Sequence, residues 1–525
     1  MPKPTAAPTL PPNNRVAFIT LGCAKNEVDT DKMRARVLAA GFLLEDDPQR
    51  CDALVINTCS FITQATEESI NTILEAAGLD RFAQGEGRIV VAGCMPSRYG
   101  NQLNADLPEV SAFVPCAQEH NIVEVLQQTL TPPTPQQTHN NVIPDLIRNL
   151  DGDSHNQTGC LTETPPSQHA PPPPFLRTIT APWAYVKIAD GCSRRCAFCT
   201  IPKIKGPYKS VPAPEILAEV AGLVAGGVRE VVLIAQDTGI YGHDLKTNTP
   251  QQTYNNVIPD LIRNLDGDSH NQTGCLTETP HTQKPQPPTD LPALLTQLAC
   301  TFTTTWFRVM YLQPQAITSR LLKVMGEYDN ICNYLDIPLQ HASQQVLRDM
   351  RRAGSGAQYL RLLARIRKAL PDVALRTTLI AGYPGETRAQ AAELERFVRQ
   401  AQFDYVGVFV YSPEDGTPAG ERPQVPLRTR RARAQRLRDT ADQIGFAKTA
   451  QRLGLTQEVL VLGRDEDAQA GERYALIGRT KRQAPEVDGM VHLDGGSTGQ
   501  LVSATMVDAY CYELDGKVVE APHER

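Results

Sequence analysis

The chain has 525 residues, of which 41% are hydrophobic and 21% are charged, with a formal net charge of −6. The length allows two to four domains with sizeable cores, and the slightly acidic balance excludes a protein that binds nucleic acid over its whole surface. No stretch approaches the ~20 apolar residues of a membrane span, and no signal peptide is recognisable. We therefore expect a cytoplasmic protein, independent of membranes, whose 13 cysteines are reduced rather than joined as disulfides.

After a proline-rich tail at residues 1–14, which we expect to be disordered, the chain alternates strand and helix patterns. The apolar runs predict strands at 15–20, 53–57 and 88–92, and runs that end at a glycine predict helices at 29–40 and 66–77. This alternation predicts a parallel α/β domain over residues 15–130.

A cysteine follows the end of each predicted strand, at Cys23, Cys59 and Cys94. In open α/β sheets ligands bind at the carboxyl ends of the strands, so the three thiols could converge although about 35 residues separate neighbours. The alternative is three small core residues, because free cysteine is often buried. Cys51 and Cys116 lack this placement and are interpreted as bystanders.

Residues 131–178 are rich in Pro, Thr, Gln and Asn, and they contain a segment that the chain repeats. Residues 134–165 recur at 249–280 with one substitution. Near-identity in two unrelated contexts indicates recent insertions at surface loops, where added length costs little entropy. They look like translated mobile palindromic DNA repeats, and Cys160 and Cys275 inside them are not expected to bind metal. A paired docking motif is the alternative.

The most informative stretch is a cysteine loop, in which Cys192, Cys196 and Cys199 have Cys-x3-Cys-x2-Cys spacing. Three thiolates on so short a loop can hold an iron–sulfur cluster and leave one iron free for a small molecule. Structural zinc usually takes two Cys-x2-4-Cys pairs, and no second pair follows. We interpret the loop as a cluster site rather than as a zinc loop or unrelated buried thiols.

Beyond Trp183 the strand–helix alternation returns and predicts a partial (β/α) barrel over residues 179–425, which the second repeat interrupts. The predicted strands lie at 185–188, 230–235, 306–310, 334–337, 375–380 and 405–410. Ligands of such barrels gather at the carboxyl ends of the strands. The candidate cofactor contacts are Phe198, directly before the third cysteine of the loop, and a set near these strand ends: Gln236, Asp237, Gln340, Arg376, Gly382 and Glu386. Arg376 could instead pair with an acid of the core, and the sequence leaves both alternatives open.

The last part of the chain begins with a run of arginines at 427–438. It predicts a basic helical connector over 426–450, whose arginines are either solvated or in contact with phosphate. Short alternating runs at 458–462, 473–477, 489–493 and 501–506 then predict a small all-β barrel over 451–520.

Taken together, these motifs resemble the methylthiotransferase family of radical S-adenosylmethionine (SAM) enzymes, over nearly the whole chain outside the tail and the repeats. The resemblance implies an N-terminal methylthiotransferase domain, a central radical-SAM domain and a C-terminal TRAM domain in the three regions above. It also implies two [4Fe-4S] clusters, an auxiliary one on Cys23, Cys59 and Cys94 and a SAM-binding one on Cys192, Cys196 and Cys199. No catalytic side chain is implied beyond these ligands.

Within the family, three sequence motifs are similar to those of the ribosomal-protein branch. They are Lys25-Asn-Glu-Val-Asp29, Tyr334-Leu-Asp-Ile-Pro-Leu-Gln-His-Ala-Ser343 and Ala484-Pro-Glu-Val-Asp-Gly489. That branch methylthiolates the β-carbon (C3) of an aspartate in a small-subunit ribosomal protein. The resemblance implies that a radical from SAM removes a hydrogen from this carbon, and that an external one-electron reductant drives the cleavage. Val211 departs from the family, which usually places arginine there, so a local barrel contact is in doubt.

Two alternatives remain open at this point. One is a tRNA adenosine methylthiotransferase whose TRAM domain contacts RNA. The other is an inactive RNA-binding remnant, disabled by the two insertions.

Overall fold

The computed structural model describes residues 14–131, 177–245, 289–469 and 471–519. The predicted N-terminal tail and both repeat copies, with Cys160 and Cys275, lie outside these residues. Within the described ranges, no helix is both long enough and apolar enough to cross a bilayer.

The N-terminal part is a five-stranded parallel sheet in the order β2-β1-β3-β4-β5. Its strands are β1 (Arg15–Thr20), β2 (Leu43–Leu44), β3 (Ala53–Thr58), β4 (Arg88–Gly93) and β5 (Ala112–Pro115). Its helices are α1 (Ala24–Ala39), α2 (Thr63–Ala77), α3 (Asp80–Ala83), α4 (Cys94–Tyr99), α5 (Leu103–Asp106) and α6 (Ile122–Leu130). Every residue of β3 is buried, because helices cover both faces of this parallel sheet.

The three predicted strands of this sheet are present, whereas β5 and α6 were not predicted. Helix α1 begins at Ala24, five residues before the predicted start. The early start follows from Gly22, whose φ of 105° turns the chain directly after β1, so that extended Cys23 occupies the N-cap position.

The central part contains six parallel strands in two sheets, β10-β9-β6 and β11-β12-β13, which a bridge between Phe307 and Ile331 joins. The strands are β6 (Trp183–Lys187), β7 (Ala189–Asp190), β8 (Lys209–Ser210), β9 (Glu230–Ile234), β10 (Trp306–Val309), β11 (Tyr334–Asp336), β12 (Ala374–Ala381) and β13 (Tyr405–Val410). The helices are α7 (Ile201–Ile204), α8 (Ala213–Ala225), α9 (Leu291–Thr301), α10 (Ser319–Glu327), α11 (Gln344–Asp349), α12 (Gly356–Ala369) and α13 (Arg388–Ala401). The largest hydrophobic core among the described residues lies in this part, and the predicted partial barrel is confirmed.

Helix α14 (Leu427–Ala450) packs on β12 and β13 and leads into the last domain. Its strands β14 (Thr456–Arg464), β15 (Leu476–Thr480), β16 (Val491–Leu493), β17 (Leu501–Tyr510) and β18 (Glu513–Val518) close in the order β14-β15-β16-β18-β17. The predicted small β barrel is therefore confirmed, with β18 as a strand that the sequence pattern did not predict.

A buried charge network fixes this small barrel to the central one. Glu230 of β9 accepts hydrogen bonds from Arg308 of β10 at 2.7 Å and from Arg479 of β15 at 2.5 Å. Burial alone would raise the pKa of Glu230, but the charges and hydrogen bonds of the two arginines outweigh it and hold the pKa below its usual value. The carboxylate is thus ionised and shared between the two domains.

Candidate functional site

The register of the N-terminal sheet brings its three strand-end cysteines to one edge. Thr20 of β1 lies beside Asn57 of β3, which lies beside Ala92 of β4. Cys23, Cys59 and Cys94 follow these strands within three residues of that row. The structure thus places the three thiols together, as the sequence pattern predicts.

The buried side chain of Asn26 organises the group. Its Nδ2 donates to the carbonyl oxygens of Leu21 at 2.8 Å and Thr58 at 3.0 Å, which ties the loop after β1 to the end of β3. Its Oδ1 lies 4.0 Å from Cys23 Sγ and 3.9 Å from Cys94 Sγ. In the sequence, Asn26 is only part of a motif that resembles the family, and its positioning role was not predicted. No local pattern shows which side chain reaches the ends of three strands.

A close backbone approach completes the group. A Cβ on Gly22 would lie 2.5 Å from Cys59 Cβ and 3.0 Å from Cys59 Sγ, which no side chain could occupy without displacing that cysteine. Glycine is therefore required at this position for the loop that carries Cys23 to reach the end of β3.

A fourth thiol, Cys116, lies at the same edge. β4 pairs with β5 so that Gly93 lies beside Pro115, and Cys94 and Cys116 are the next residues of the two strands. Their thiols interact, and this interaction, together with the charge of Lys205, outweighs burial and lowers the pKa of Cys116 to about 6, whereas it raises that of Cys94. The expectation that Cys116 lacks the strand-end placement was wrong, because β5 was not predicted.

The second cysteine group lies on the loop after β7. Cys192 N donates to Gly206 O at 3.0 Å, and Cys199 N donates to Cys196 O at 3.3 Å, so the loop folds back on itself. Burial, helped by the neighbouring thiols of Cys196 and Cys192, raises the pKa of Cys199 to about 12. The three thiols are therefore close enough to affect one another electrostatically.

Arg352, which the sequence analysis did not single out, reaches this loop from the segment after α11. Its Nη1 lies 3.9 Å from Cys196 Sγ, and its Nη2 donates to Gln313 Oε1 at 2.5 Å and to Pro338 O at 2.6 Å. Two barrel oxygens thus hold the guanidinium through Nη2, and Nη1 lies on the side of the thiol.

The predicted contacts Gln236 and Asp237 lie at the end of β9, beside the same loop. Asp237 is fully buried and its Oδ2 accepts from Arg194 Nε at 2.5 Å. Its Oδ1 and the Oε1 of Gln236 have no hydrogen-bond partner among the described residues. Buried polar atoms are normally paired, so these two oxygens fit a site that a polar ligand completes.

The other predicted contacts have mainly protein partners. Glu386 Oε2 accepts from the backbone N–H groups of Gly382 and Tyr383 and thereby closes that turn. Arg376 donates to Asp336 at 3.0 Å and lies 3.5 Å from Asp488, which favours the core-acid alternative.

Two further predicted contacts differ in environment. Gln340 has a φ of 70°, a left-handed conformation that costs energy for a residue with a side chain and often marks a functional position. Phe198 is half-buried against the main core.

Segments that follow the two cysteine groups meet at the domain interface. Thr200, directly after Cys199, donates its hydroxyl to the carbonyl of Phe61, two residues after Cys59, at 3.1 Å. Lys205, six residues after Cys199, donates to Asp29 of α1 at 3.1 Å. Loops from both groups are therefore in direct contact.

The donor sets fit iron–sulfur clusters better than single metal ions. The six cysteines form no disulfide, and among the described residues no three Cys, His, Asp or Glu side chains are close enough to hold one metal ion. A closed zinc site, with Zn–S near 2.3 Å, would place its sulfurs about 3.8 Å apart. A cluster instead takes each thiolate on a separate iron, and three thiolates leave one iron open.

Three family models match the chain in this order: "Uncharacterized protein family UPF0004" at residues 15–115, "Radical SAM superfamily" at 293–398 and "TRAM domain" at 453–519. They agree with the predicted order of an N-terminal α/β domain, a radical-SAM barrel and a TRAM barrel, so this fold class is confirmed.

Relatives match over nearly the whole chain. The chain is 35% identical to the ribosomal protein uS12 methylthiotransferase RimO of Geobacter sulfurreducens, over 96% of this chain and 98% of that protein. It is 36% identical to the RimO of Syntrophus aciditrophicus, over 97% and 99% of the two chains. Among solved structures, the radical SAM methyltransferase TsrM from Kitasatospora setae has a TM-score of 0.47 and 12% identity, over 87% of this chain and 79% of that chain, which is too weak to support an inference.

Proposed function

Because the chain belongs to the RimO family of radical-SAM methylthiotransferases, we propose that it adds a methylthio group to the C3 carbon of an aspartate in ribosomal protein uS12. The observation that carries the proposal is the contact between the two cysteine groups through Thr200 and Phe61. A methylthio transfer needs a radical and a sulfur source side by side, and this contact supports such an arrangement. The substrate and the reduced thiols both suit the cytoplasm.

The enzyme uses SAM and two [4Fe-4S] clusters. We assign Cys23, Cys59 and Cys94 to the auxiliary cluster and Cys192, Cys196 and Cys199 to the cluster that binds SAM. When bound, the clusters supply one-electron reduction and a place for sulfur, chemistry that side chains lack.

The chain's own residues orient these ligands. Asn26 holds the Cys23 and Cys94 thiols around one carboxamide oxygen. Arg352 contacts Cys196, and Asp237 and Gln236 offer two unpaired acceptor oxygens beside the loop. An amino group, such as that of SAM, would satisfy those oxygens.

The charge of the TRAM domain supports a basic protein as substrate rather than tRNA. Residues 453–519 carry eleven Asp and Glu against six Lys and Arg, and Arg479 and Arg482 among the latter are buried. His492 lies 3.5 Å from Asp465 and 3.6 Å from Glu513 on this barrel. Such a face repels a phosphate backbone and attracts the cationic chain of a protein that itself binds RNA.

The test is an assay of the purified, anaerobically reconstituted chain with SAM, a one-electron reductant and uS12. We expect a methylthio mass on one uS12 peptide, and fragmentation should place it on C3 of an aspartate. Unmodified tRNA serves as the parallel substrate. A methylthio mass on tRNA, with none on uS12, would establish the adenosine alternative instead.

Iron counting on the same preparation tests the inactive-remnant alternative. We expect about eight iron atoms per chain, as two four-iron clusters require. Incorporation of four or fewer, with no SAM cleavage, would overturn the assignment of an active enzyme.

A further inference from the structure

A buried lysine lies at the junction of the two cysteine groups without a counterion. Lys25 is the second residue of α1, and it is only 8% exposed. Among the described residues its Nζ has no carboxylate or carbonyl partner, and it lies over the ring of Tyr311, 3.3 Å from the centroid. An aromatic ring supplies only part of what a buried cation loses in hydration. Lys25 can therefore accept an anionic partner that the described residues do not supply.

The ring beneath this ammonium group is fixed to the barrel. Tyr311 follows β10 by two residues and has a φ of 63°, a left-handed conformation that costs energy for a residue with a side chain. Its backbone N–H donates to Asp336 Oδ2 at 3.1 Å, and its carbonyl accepts from the Thr238 hydroxyl at 3.0 Å. Residues at the carboxyl ends of β9, β10 and β11 thus hold the ring that Lys25 contacts.

The same contacts place the ammonium group between the two cysteine groups. Thr238 directly follows Asp237, whose carboxylate accepts a hydrogen bond from Arg194 of the cysteine loop. On the other side, Lys25 itself follows Cys23 by two residues. Lys25 therefore connects the auxiliary group, assigned to the sulfur source, with the strand ends assigned to SAM.

The proposed reaction brings a carboxylate to this point. The C3 carbon of aspartate is bonded directly to the side-chain carboxyl group, so both must lie between the two cysteine groups during the transfer. A lysine ammonium and a carboxylate form a strong, charge-assisted hydrogen bond. SAM also has a carboxylate, but the unpaired oxygens of Gln236 and Asp237 favour the amino acid end of SAM beside the barrel loop. Lys25 extends from the other domain, beside Cys23, which favours the substrate.

We propose that Lys25 binds the side-chain carboxylate of the substrate aspartate and selects it over a neutral side chain. This inference rests on the proposed function, for which it names a specificity-determining residue. When the carboxylate binds, the ammonium keeps the Tyr311 ring on one side and gains an anionic partner on the other. A neutral asparagine in place of the aspartate leaves the charge unpaired.

The test compares two substrates, uS12 and uS12 in which the aspartate identified by fragmentation is replaced by asparagine. Reconstituted full-length enzyme is titrated against each labelled substrate, and fluorescence anisotropy gives the Kd. We expect the wild-type enzyme to bind the asparagine substrate about tenfold more weakly. Lys25→Met should bind native uS12 about tenfold more weakly than wild type does, and it should bind the two substrates equally.

Three further measurements separate substrate binding from a structural role. Lys25→Arg keeps the charge and should recover most of the preference for aspartate. Lys323→Met, the same change on the exposed face of α10, is the matched control and should retain the wild-type preference. The iron content of Lys25→Met and its Kd for SAM should stay within about twofold of the wild-type values.

A preference for aspartate that persists in Lys25→Met would overturn the proposal and leave Lys25 with a packing role against Tyr311. A loss of SAM affinity in Lys25→Met, with the substrate preference unchanged, would overturn it in favour of the SAM carboxylate. If the wild-type enzyme never modifies uS12, the proposed function fails and this inference fails with it. Modification of uS12 without a preference that depends on Lys25 would overturn the inference alone.

Discussion

Arg98 of α4 donates to Glu414 of the radical-SAM domain at 3.0 Å, and the two side chains are only 9% and 2% exposed. Glu414 also accepts from the backbone N–H of Thr63, the first residue of α2, at 2.9 Å. One carboxylate of the barrel therefore binds two helices that start near Cys59 and Cys94. The position of Cys59 and Cys94 relative to the barrel depends on it.

The first prediction concerns this pair. Glu414→Gln should lower the free energy of unfolding by about 3 kcal/mol, because it leaves the Arg98 charge buried without its counterion. Thermal or denaturant unfolding measures the loss. The double variant Arg98→Met/Glu414→Gln should recover at least half of it, and equal losses in the single and double variants would contradict the explanation.

The features that follow from the order and spacing of residues along the chain could be predicted from the sequence. Strand runs followed by Cys23, Cys59 and Cys94 located one edge of a parallel sheet, because that topology dictates where strand ends meet. The spacing of Cys192, Cys196 and Cys199 needed no tertiary information at all. β5 was missed because Ala112–Pro115 is only four residues long and ends in a proline.

The remaining parts of the site depend on contacts between distant positions. Arg352 meets Cys196 across 156 residues, and Asn26 meets Cys94 across 68. Neither arginine nor asparagine has a local signal that distinguishes a positioning role from a surface role. Arg376 illustrates the opposite case. Its place at a strand end suggested a contact with a ligand, but in the structure its partners are the carboxylates of Asp336 and Asp488.

The second prediction concerns the carboxyl group of Glu27, which lies beside Glu486 of the TRAM domain. Burial, then the charges of Glu486 and Asp31, raise its pKa to about 7. The unfolded chain loses this proton near its ordinary value of about 4.5, so stability falls as the pH rises from there to about 7. Glu27→Gln should remove the loss.

Unfolding measurements at pH 4 and pH 8 check this prediction. Relative to wild type, Glu27→Gln should gain about 1 kcal/mol on going to pH 8, a value reduced for solvent screening at a partly exposed side chain. Glu124→Gln, on the exposed face of α6, is the matched control and should show the same difference from wild type at both pH values. A pH-independent effect of Glu27→Gln would show that the group titrates normally.

The third prediction concerns the basic start of α14. Arg428 is exposed in its first turn, that turn has no acidic residue, and Pro426 offers no side-chain cap. A cation there opposes the helix macrodipole, so Arg428→Glu should stabilise the fold by about 0.5–1 kcal/mol at low salt. Arg436→Glu, two turns later on the exposed surface, should change stability little. Equal effects at both positions would instead indicate relief of general charge repulsion.

The fourth prediction concerns the acidic face of the TRAM barrel. Glu472 and Asp508 are exposed and both interact electrostatically with Asp515. Glu472→Lys/Asp508→Lys should weaken binding of uS12 about tenfold at low salt and less at high salt, because the attraction is screened. Fluorescence anisotropy with labelled uS12 measures this.

Glu86→Lys/Asp106→Lys is the matched control, with the same charge change on exposed positions of the N-terminal domain. Its affinity for uS12 should stay near that of wild type. If both double variants weaken binding equally, the TRAM face has no specific role and only net charge matters.

The fifth prediction concerns the second repeat copy, residues 249–280. A Cβ on Gly242 would lie 2.4 Å from the carbonyl of Thr289, so the described chain ends on either side of the repeat are already in contact. Asp290 then caps α9 by accepting from Ala293 N at 3.0 Å. Deletion of 249–280 leaves eleven residues to connect Leu245 with Thr289, which is ample for ends this close.

We therefore expect the deletion variant to keep its iron content, its thermal stability and its rate of SAM cleavage within about twofold, because loop-closure entropy depends only weakly on length. Deletion of the first copy, 134–165, is the matched control and should be equally harmless. If the copies instead dock on each other, each deletion alone should destabilise the protein, and the double deletion should cost no more than either one. That non-additive result would establish the paired docking motif and contradict the interpretation of the repeats as independent surface insertions.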